Sequence, residues 1–370
     1  MAQLSQPGSQ RGRTSSQTRM RAVAAVSSSD SIAANDLEES ASASASSAIA
    51  KDTRHSFFTH LAAQDWFLAA YFVILTCAVA FSNGVHRKES LEWVALDVCV
   101  FVVGVVLTRG GIIKRGTFAS NLVYRIALFA SFQASYFQLR FILPTVNARV
   151  LDADILAFDL KTFGYEPAIA WDKFVTPSSA EWFAFFYFSY FFLLATHVIP
   201  IVLADRNSKR LAHFALGMFM VYVFGHIGYM LVPGFGPYHH LAGQFEHPIQ
   251  GGLFWRLVIA TVEGAGAQKD IFPSLHTAAP TFFALFSFMH RRTMPFRYTW
   301  PVMTFFASQI ILATMFLRWH WLIDVIAGFT LATTAAFVSR YVIDREWTRR
   351  TRLGLPPVFE ALSWPRSESN

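Results

Sequence analysis

Long apolar runs recur through most of this 370-residue chain, and they constrain its fold more than any other feature. A helix needs about 20 mostly apolar residues to cross the hydrocarbon layer of a membrane. No alternating strand pattern competes with these runs, and a helix satisfies its own backbone hydrogen bonds within lipid. The sequence therefore predicts an all-α polytopic membrane protein with about eight transmembrane helices, at residues 64–82, 91–108, 119–143, 181–203, 211–232, 273–290, 299–317 and 320–341.

Composition excludes a soluble protein and a nucleic-acid-binding protein. Apolar residues make up 54% of the chain and charged residues only 15%, against roughly 25% charged residues in an average soluble protein. The formal charge of +7 does not form one basic face, because the Lys and Arg residues lie in short gaps between apolar runs. Cys77 and Cys99 both lie inside apolar runs and imply neither a disulfide framework nor a thiolate metal site.

The chain divides into four regions. Residues 1–55 are rich in Ser, Ala, Gln and Arg with few large apolar side chains, which predicts a disordered tail. This tail lacks the compact apolar stretch of a cleavable signal peptide. Two transmembrane helices follow within residues 56–118, the other six lie within residues 119–342, and residues 343–370 form a C-terminal tail.

Charge in the gaps predicts the orientation of the helices. Every second gap is basic, and by the positive-inside rule these gaps and both termini are cytoplasmic. The intervening gaps are longer, weakly charged or acidic, and we expect them on the extracytoplasmic side, in a periplasm or a lumen. The residues that carry the basic signal are Arg109, Lys114, Arg115, Arg206, Lys209, Arg210, Arg291, Arg292, Arg297, Arg340, Arg345, Arg349 and Arg350.

Two short segments hold the residues with catalytic potential, at 272–276 and 318–324. The topology predicts that His276 and His320 open two helices that both start on the outer side, so the two imidazoles lie at one depth. Asp324 is four residues after His320 and shares its helix face. A carboxylate there can accept the proton of one imidazole nitrogen and leave the other nitrogen as a nucleophile. His276 can then protonate a leaving alkoxide and deprotonate an incoming hydroxyl.

Neighbouring residues are candidates for binding a phosphate group. Pro273 suits the first turn of a helix, where Ser274 and the free backbone amides form an anion site. Arg318 could clamp phosphate oxygens, because phosphoryl transfer needs fixed positive charge around them. His239, in the loop after 233–237, could contact a phosphate or a polyol, or could lie in a solvated loop.

These motifs resemble those of the type 2 phosphatidic acid phosphatase superfamily, and more narrowly its branch containing inositol phosphorylceramide synthases. Pro-Ser-Leu-His of that branch is matched at 273–276, and His-x-x-x-Asp followed by Ala-Gly is matched at 320–328. The Asp-rich and Phe-Gly-x-x-Pro segment at 151–167 and the Pro-rich loop at 233–238 also resemble that branch. The resemblance covers roughly residues 120–342 and implies a catalytic domain there. It also implies a phosphohistidine on His320, oriented by Asp324, with His276 as acid and base.

The chain departs from the superfamily pattern at two places. The first motif, a Lys followed by Arg-Pro, has no match, and the Arg usually found six positions before the nucleophilic His is replaced by Thr314. Both features belong to classical lipid phosphatases, so phosphatase activity of that kind is in doubt. Arg318, Lys269 and Arg140 are the candidates to replace the missing charge. Arg140 is near the outer end of the third helix, where an intramembrane charge is a functional candidate and a snorkelling anchor is the alternative.

The resemblance implies an enzyme without a metal or another cofactor. Its expected reaction moves a phosphate-containing headgroup, such as phosphoinositol, from a phospholipid to a lipid hydroxyl such as that of ceramide or diacylglycerol. A lipid phosphate phosphatase would use the same chemistry with water as acceptor. A transporter or a haem-bearing membrane protein remains an alternative, although the chain shows no convincing internal repeat and its paired histidines lie at helix starts. The expected partners are lipid substrates and the membrane, and the oligomeric state is open.

Overall fold

The computed structural model describes residues 56–362 of the chain. The predicted disordered tail at 1–55 and the last eight residues lie outside the described range. Ten helices of twelve or more residues are found within it. They are α1 (Ala63–Ala80), α2 (Arg87–Arg109), α3 (Phe118–Val146), α4 (Asp152–Phe163), α5 (Pro177–Ala204), α6 (Ser208–Leu231), α7 (Leu253–Ala265), α8 (Leu275–Met289), α9 (Phe296–Phe316) and α10 (Leu322–Leu353).

Short helical segments complete the fold. Three single-turn α-helices lie at Phe57–His60, Pro167–Ala170 and Pro237–His240, and two 3₁₀ turns lie at Asp172–Phe174 and Ala242–Gln244. No β-strand occurs within residues 56–362. The predicted all-α polytopic architecture is confirmed, because seven of the helices are long and apolar enough to cross a membrane. These seven are α1, α2, α3, α5, α6, α9 and α10.

The sixth predicted span is shorter than expected. It corresponds to α8, which has 15 residues and therefore a length of about 22 Å. The hydrocarbon layer is about 30 Å thick, so at least one end of α8 lies within the depth of that layer. A short helix is tolerated here because α5, α6, α9 and α10 all pack against it.

Helix α6 is the most buried of the spanning helices. Most of its residues, from Leu211 to Met230, are enclosed by protein, and it packs against α10 and α8. Its sequence is apolar all round, which is typical of a helix enclosed by other helices. The main hydrophobic core surrounds it and includes Phe214, Phe219, Phe282 and Phe286, which are inaccessible to solvent.

The two long gaps predicted on the outer side are partly helical. Helix α4 lies in the first gap, and helix α7 lies in the second and packs against α5. The basic gaps meet at the opposite end of the bundle. There Arg210 donates to the hydroxyl of Thr293, and Lys209 pairs with Asp344 at 2.6 Å. The alternation of gaps along the sequence therefore corresponds to two ends of the bundle.

Candidate active site

Two histidines from different helices lie side by side at one end of the bundle. The ring centroids of His276 and His320 are 6.1 Å apart, with 46° between the ring planes. His276 is in the first turn of α8, and His320 lies just before α10. The predicted pairing of these two residues at one end of the bundle is therefore present in the structure, although their chemical roles stay a prediction.

His320 is positioned by the turn between α9 and α10, not by the first turn of α10 as predicted. The amides of Trp319 and Arg318 donate to the carbonyls of Thr314 and Met315, which forms the hydrogen-bond pattern of a Schellman motif. Arg318 occupies its left-handed position with φ +66°, where glycine is usual. This compact turn places His320 one residue before Trp321, the N-cap of α10.

Asp324 fixes the start of α10 and faces His320. One carboxylate oxygen accepts from the Trp321 backbone N–H at 2.9 Å, as expected for an acidic residue in the first turn. The same oxygen is 3.6 Å from Nδ1 of His320, which is longer than a hydrogen bond. Such contacts often tighten only when substrate is bound. Nδ1 of His320 and Oδ1 of Asp324 are both buried without a partner, so each is available to the other after a small movement.

His276 lies between two tyrosine rings of α5. The Tyr187 ring stacks on the imidazole with centroids 4.3 Å apart and an interplanar angle of 12°. The Tyr190 ring is also 4.3 Å away, tilted by 37°. The imidazole of His276 is therefore enclosed between two aromatic faces. Nε2 of His276 is buried and has no hydrogen-bond partner.

Helix α8 begins differently from the prediction. Pro273 precedes the helix instead of lying in its first turn, and Ser274 is the N-cap. The Ser274 hydroxyl accepts from the Thr277 N–H at 3.2 Å, so it satisfies its own helix. The structure thus gives the Ser274 hydroxyl a capping contact, and Ser274 does not line the cavity that contains the histidines.

The acidic residues of α4 hold the segments around His320. Asp152 is fully buried, and its carboxylate accepts from the amides of Phe235 and Gly236, both at 2.8 Å. It also accepts from the indole Nε1 of Trp321 at 3.0 Å. Asp152 therefore ties the Pro-rich loop to the start of α10. Trp321 is itself fully buried.

A second pair of acids lies behind α10. Asp159 accepts from the Ile323 N–H at 3.2 Å and so caps α10 from outside. The carboxyl group of Glu166 lies close to that of Asp159, and Oδ1 of Asp159 and Oε2 of Glu166 are both buried without a hydrogen-bond partner. Burial, with the charges of Asp159 and Asp324 adding to it, raises the pKa of Glu166 to about 8. Glu166 is therefore protonated at neutral pH and can donate to Asp159.

The histidines open into a cavity of about 460 Å³ with many aromatic side chains in its lining. Burial lowers the pKa of His320 to about 4, although the charge of Asp270 acts in the opposite direction. His320 is consequently neutral at physiological pH, the state that a nucleophile needs. The aromatic lining includes Tyr136, Phe137, Tyr187, Phe188, Tyr190, Phe191, Tyr229, Phe235 and Trp319.

Arg140 and His239, two of the residues proposed for phosphate binding, line this cavity. Both side chains are largely exposed, which places them at the mouth. Arg140 lies against the ring of Phe141, with the guanidinium carbon 4.6 Å from its centroid, and carries the only permanent positive charge of the lining among the described residues.

Arg318 and Lys269 do not line the cavity. The Arg318 guanidinium pairs with Asp172 at 2.6 Å, donates to the His247 carbonyl and covers the Phe245 ring. Although burial acts to raise it, the pKa of Asp172 is held below its ordinary value by hydrogen bonds from His247 and Glu246 and by the charge of Arg318. Lys269 donates to the Ala148 carbonyl at 3.1 Å. The positive charges of both residues are therefore used in joining loops.

Comparison with protein families agrees with this geometry. The family model described as PAP2 superfamily matches residues 154–338, which is half of the chain. This chain belongs to the PAP2 superfamily. The matched segment contains His276, His320 and Asp324, together with α4 residues after 154. The search of curated proteins and the search of solved structures each return no match.

Membership of the PAP2 superfamily supports a lipid phosphatase or phosphotransferase type of function. Within residues 56–362, no group of three or more His, Cys, Asp or Glu side chains is arranged to hold a metal ion.

Sequence reasoning did not identify Asp270, Tyr187 or Tyr190 as site residues. Asp270 is only six residues before His276, and this proximity was the available signal. The tyrosines of α5 gave no signal, because aromatic residues occur throughout the spanning helices. Their contact with His276 depends on how α5 packs against α8, which spacing along the chain does not encode.

Proposed function

We propose that this protein is a membrane lipid phosphotransferase that works through a phosphohistidine on His320. The observation that supports this most strongly is that His276 and His320 share one cavity with ring centroids 6.1 Å apart. Two imidazoles at that spacing can contact the same phosphoryl group, one as nucleophile and one as acid. The mostly apolar lining suits lipid substrates.

The first half-reaction forms the phosphohistidine. Nδ1 of His320 faces Asp324, so Nε2 attacks the phosphorus of a phospholipid while the bond from phosphorus to the diacylglycerol oxygen breaks. The His276 imidazolium gives its proton to that oxygen, and diacylglycerol leaves. As His320 becomes bonded to phosphorus, Asp324 stabilises its positive charge. Arg140 at the mouth is the candidate to bind a phosphate oxygen.

The second half-reaction transfers the group. Neutral His276 takes the proton of an acceptor hydroxyl, and the resulting oxygen attacks the phosphorus. The bond from His320 to phosphorus breaks, which regenerates both imidazoles in their starting states. A lipid hydroxyl such as that of ceramide or diacylglycerol gives a new phospholipid, whereas water gives hydrolysis. We favour transfer because the chain lacks the Lys and Arg-Pro motif and has Thr314 in place of an Arg.

The location of the site follows from the positive-inside argument and remains part of the proposal. The basic gaps meet at the bundle end opposite the histidines, so the site is proposed to face the periplasm or a lumen, with both termini cytoplasmic. The transferred group is proposed to include the headgroup with its phosphate, of which phosphoinositol is the example drawn from the resemblance to inositol phosphorylceramide synthases.

In the deciding experiment, the purified full-length protein is incubated with labelled phospholipids, with and without ceramide or diacylglycerol, and the masses of the lipid products are measured. A new lipid with the mass of acceptor plus headgroup phosphate shows transfer, and a released phosphorylated headgroup shows hydrolysis. We expect His320→Ala to lower turnover at least about 10³-fold. His86→Ala is the matched control, since His86 is an exposed histidine outside the cavity. Normal turnover in His320→Ala would overturn the mechanism.

A further inference from the structure

Asp270 extends the chemistry of the cavity beyond the two histidines. It lies in the loop between α7 and α8 and lines the same cavity as His276 and His320. Among residues 56–362 it is the only acidic residue of that lining. Its only hydrogen bond comes from its own backbone N–H, and no ion pair with a described residue satisfies it. Asp270 is partly buried, and burial raises the pKa of its carboxyl group. A carboxylate in such surroundings is costly without a counter-charge, so this one is suited to a ligand that supplies the charge.

The loop that carries Asp270 is held in an uncommon backbone conformation. Gly266 has φ +68° and Gln268 has φ +49°, and the Lys269 N–H closes a tight turn onto the Ala267 carbonyl at 2.6 Å. A left-handed conformation at Gln268 is unfavourable for a residue with a side chain. Gln268 and Asp270 both line the cavity as a result. Backbone strain of this kind is typical of segments that position ligand-binding groups.

Besides its histidines, of which His276 changes its protonation during the proposed reaction, the described lining holds one basic and one acidic side chain. Arg140 supplies one positive charge, Asp270 one negative charge, and His320 is neutral because burial lowers its pKa to about 4. A phosphodiester with a positively charged headgroup has a negative phosphate, which can pair with Arg140, and a positive ammonium group, which can pair with Asp270. Such a ligand satisfies Arg140 and Asp270 together.

The aromatic residues around Asp270 favour an ammonium group over a polyol. Tyr136, Tyr187, Tyr190 and Tyr229 line the same cavity as Asp270. Aromatic faces attract ammonium groups, and quaternary ammonium ions in particular. A polyol such as inositol could donate hydroxyl hydrogen bonds to Asp270 but would leave its charge unpaired.

We propose that the phospholipid donor is zwitterionic, with its headgroup ammonium bound by Asp270 and its phosphate between the histidines and Arg140. This substrate class rests on the proposed phosphotransfer, whose steps it leaves unchanged. Choline and ethanolamine headgroups both have the required ammonium group, which is quaternary in choline and primary in ethanolamine. Testing a lipid of each kind shows which of the two the site prefers.

The test compares four donors of identical acyl chains in nanodiscs with the full-length protein: phosphatidylcholine, phosphatidylethanolamine, phosphatidylinositol and phosphatidylglycerol. Product mass and kcat/KM are measured for the natural chain and for Asp270→Asn. We expect the natural chain to prefer a zwitterionic donor. Asp270→Asn should lower kcat/KM for zwitterionic donors at least about tenfold, mainly through KM, and leave phosphatidylglycerol within about twofold. Glu263→Gln, an exposed carboxylate on α7 outside the cavity, is the matched control.

The outcomes separate this proposal from the one it rests on. Product that depends on His320 but comes mainly from phosphatidylinositol or phosphatidylglycerol overturns the substrate class and leaves phosphotransfer intact. A uniform fall in kcat for all four donors in Asp270→Asn shows a role in the chemical step and overturns headgroup binding. If no donor gives a product that depends on His320, phosphotransfer itself has failed.

Discussion

The backbone N–H of Ser274 donates to the carbonyl of Asp324 at 3.0 Å, which joins the start of α8 directly to the first turn of α10. The two helices approach closely here because residue 328 is glycine. A Cβ at Gly328 would lie 2.4 Å from the Ser274 carbonyl oxygen and 3.1 Å from Cβ of Thr277. The spacing of His276 and His320 therefore depends on the absence of one side chain.

Gly328→Ala should separate the two helix starts. The backbone carbonyl of Ser274 cannot rotate away as a flexible side chain could, so α8 or α10 must shift. We expect a loss of stability of about 1–3 kcal/mol and a larger relative loss of turnover, because a displacement of about 1 Å at reacting groups can lower a rate 10²-fold. Thermal unfolding and product formation are measured together. Gly243→Ala is the control, since a Cβ there meets nothing within 4 Å, and equal turnover in both variants would contradict the expectation.

Asp324→Asn should slow the reaction without unfolding the site. Asparagine keeps an oxygen that can accept from the Trp321 N–H, so the helix start is preserved. It loses the negative charge that orients His320 and stabilises its phosphorylated form, and we expect turnover to fall about 10²–10⁴-fold. Rapid-quench measurement of phosphohistidine with labelled phospholipid is the check. Asp154→Asn, an exposed residue on α4, serves for comparison. A rate within twofold of the natural chain would show that the carboxylate charge is not used.

His276→Ala should reveal whether His276 protonates the leaving group. With a natural phospholipid the leaving alkoxide is strongly basic, so loss of the acid should lower the rate about 10²–10⁴-fold. A phosphodiester with a nitrophenol leaving group needs little protonation, and its rate of phosphohistidine formation should fall far less. The ratio of the two losses is the measurement. Equal losses with both substrates would instead indicate that His276 only positions the phosphate.

The spanning helices could be predicted from the sequence because membrane insertion imposes a simple rule of length and apolarity. All eight predicted runs correspond to helices, and only α8 is shorter than the span that was expected. Helices α4 and α7 were not predicted, because the gaps that contain them were interpreted from charge and composition and not from helical periodicity.

The three candidate catalytic residues were recognised because their motifs are local. His320 and Asp324 are four residues apart, and the four residues ending at His276 form a motif of their own. The supporting residues could not be found in this way. Asp152 contacts Trp321 across 169 positions of the chain, and Arg318 pairs with Asp172 across 146. Acidic residues in an outer gap are equally compatible with solvent exposure until the packing of α4 is known.

Glu166 should make the stability of the protein depend on pH in an unusual direction. Its pKa is raised to about 8 in the folded protein, whereas an unfolded Glu has a pKa of about 4.3. The folded state therefore holds a proton that the unfolded state has lost. The stability that this proton provides is fully present below about pH 4.3 and disappears as the pH rises towards 8. A normal surface carboxylate contributes no such slope.

The window from about pH 6.5 to 8 covers the titration of Glu166 and lies above the pKa of an unfolded histidine, so the buried histidines contribute less to the slope there than at lower pH. We expect the melting temperature of the natural chain to fall across this window, and that of Glu166→Gln to fall less, since Gln can still donate to Asp159 at every pH. Glu263→Gln should keep the slope of the natural chain. A fall of equal size in Glu166→Gln would show that the proton is held elsewhere, and that the Asp159–Glu166 pair behind α10 does not carry it.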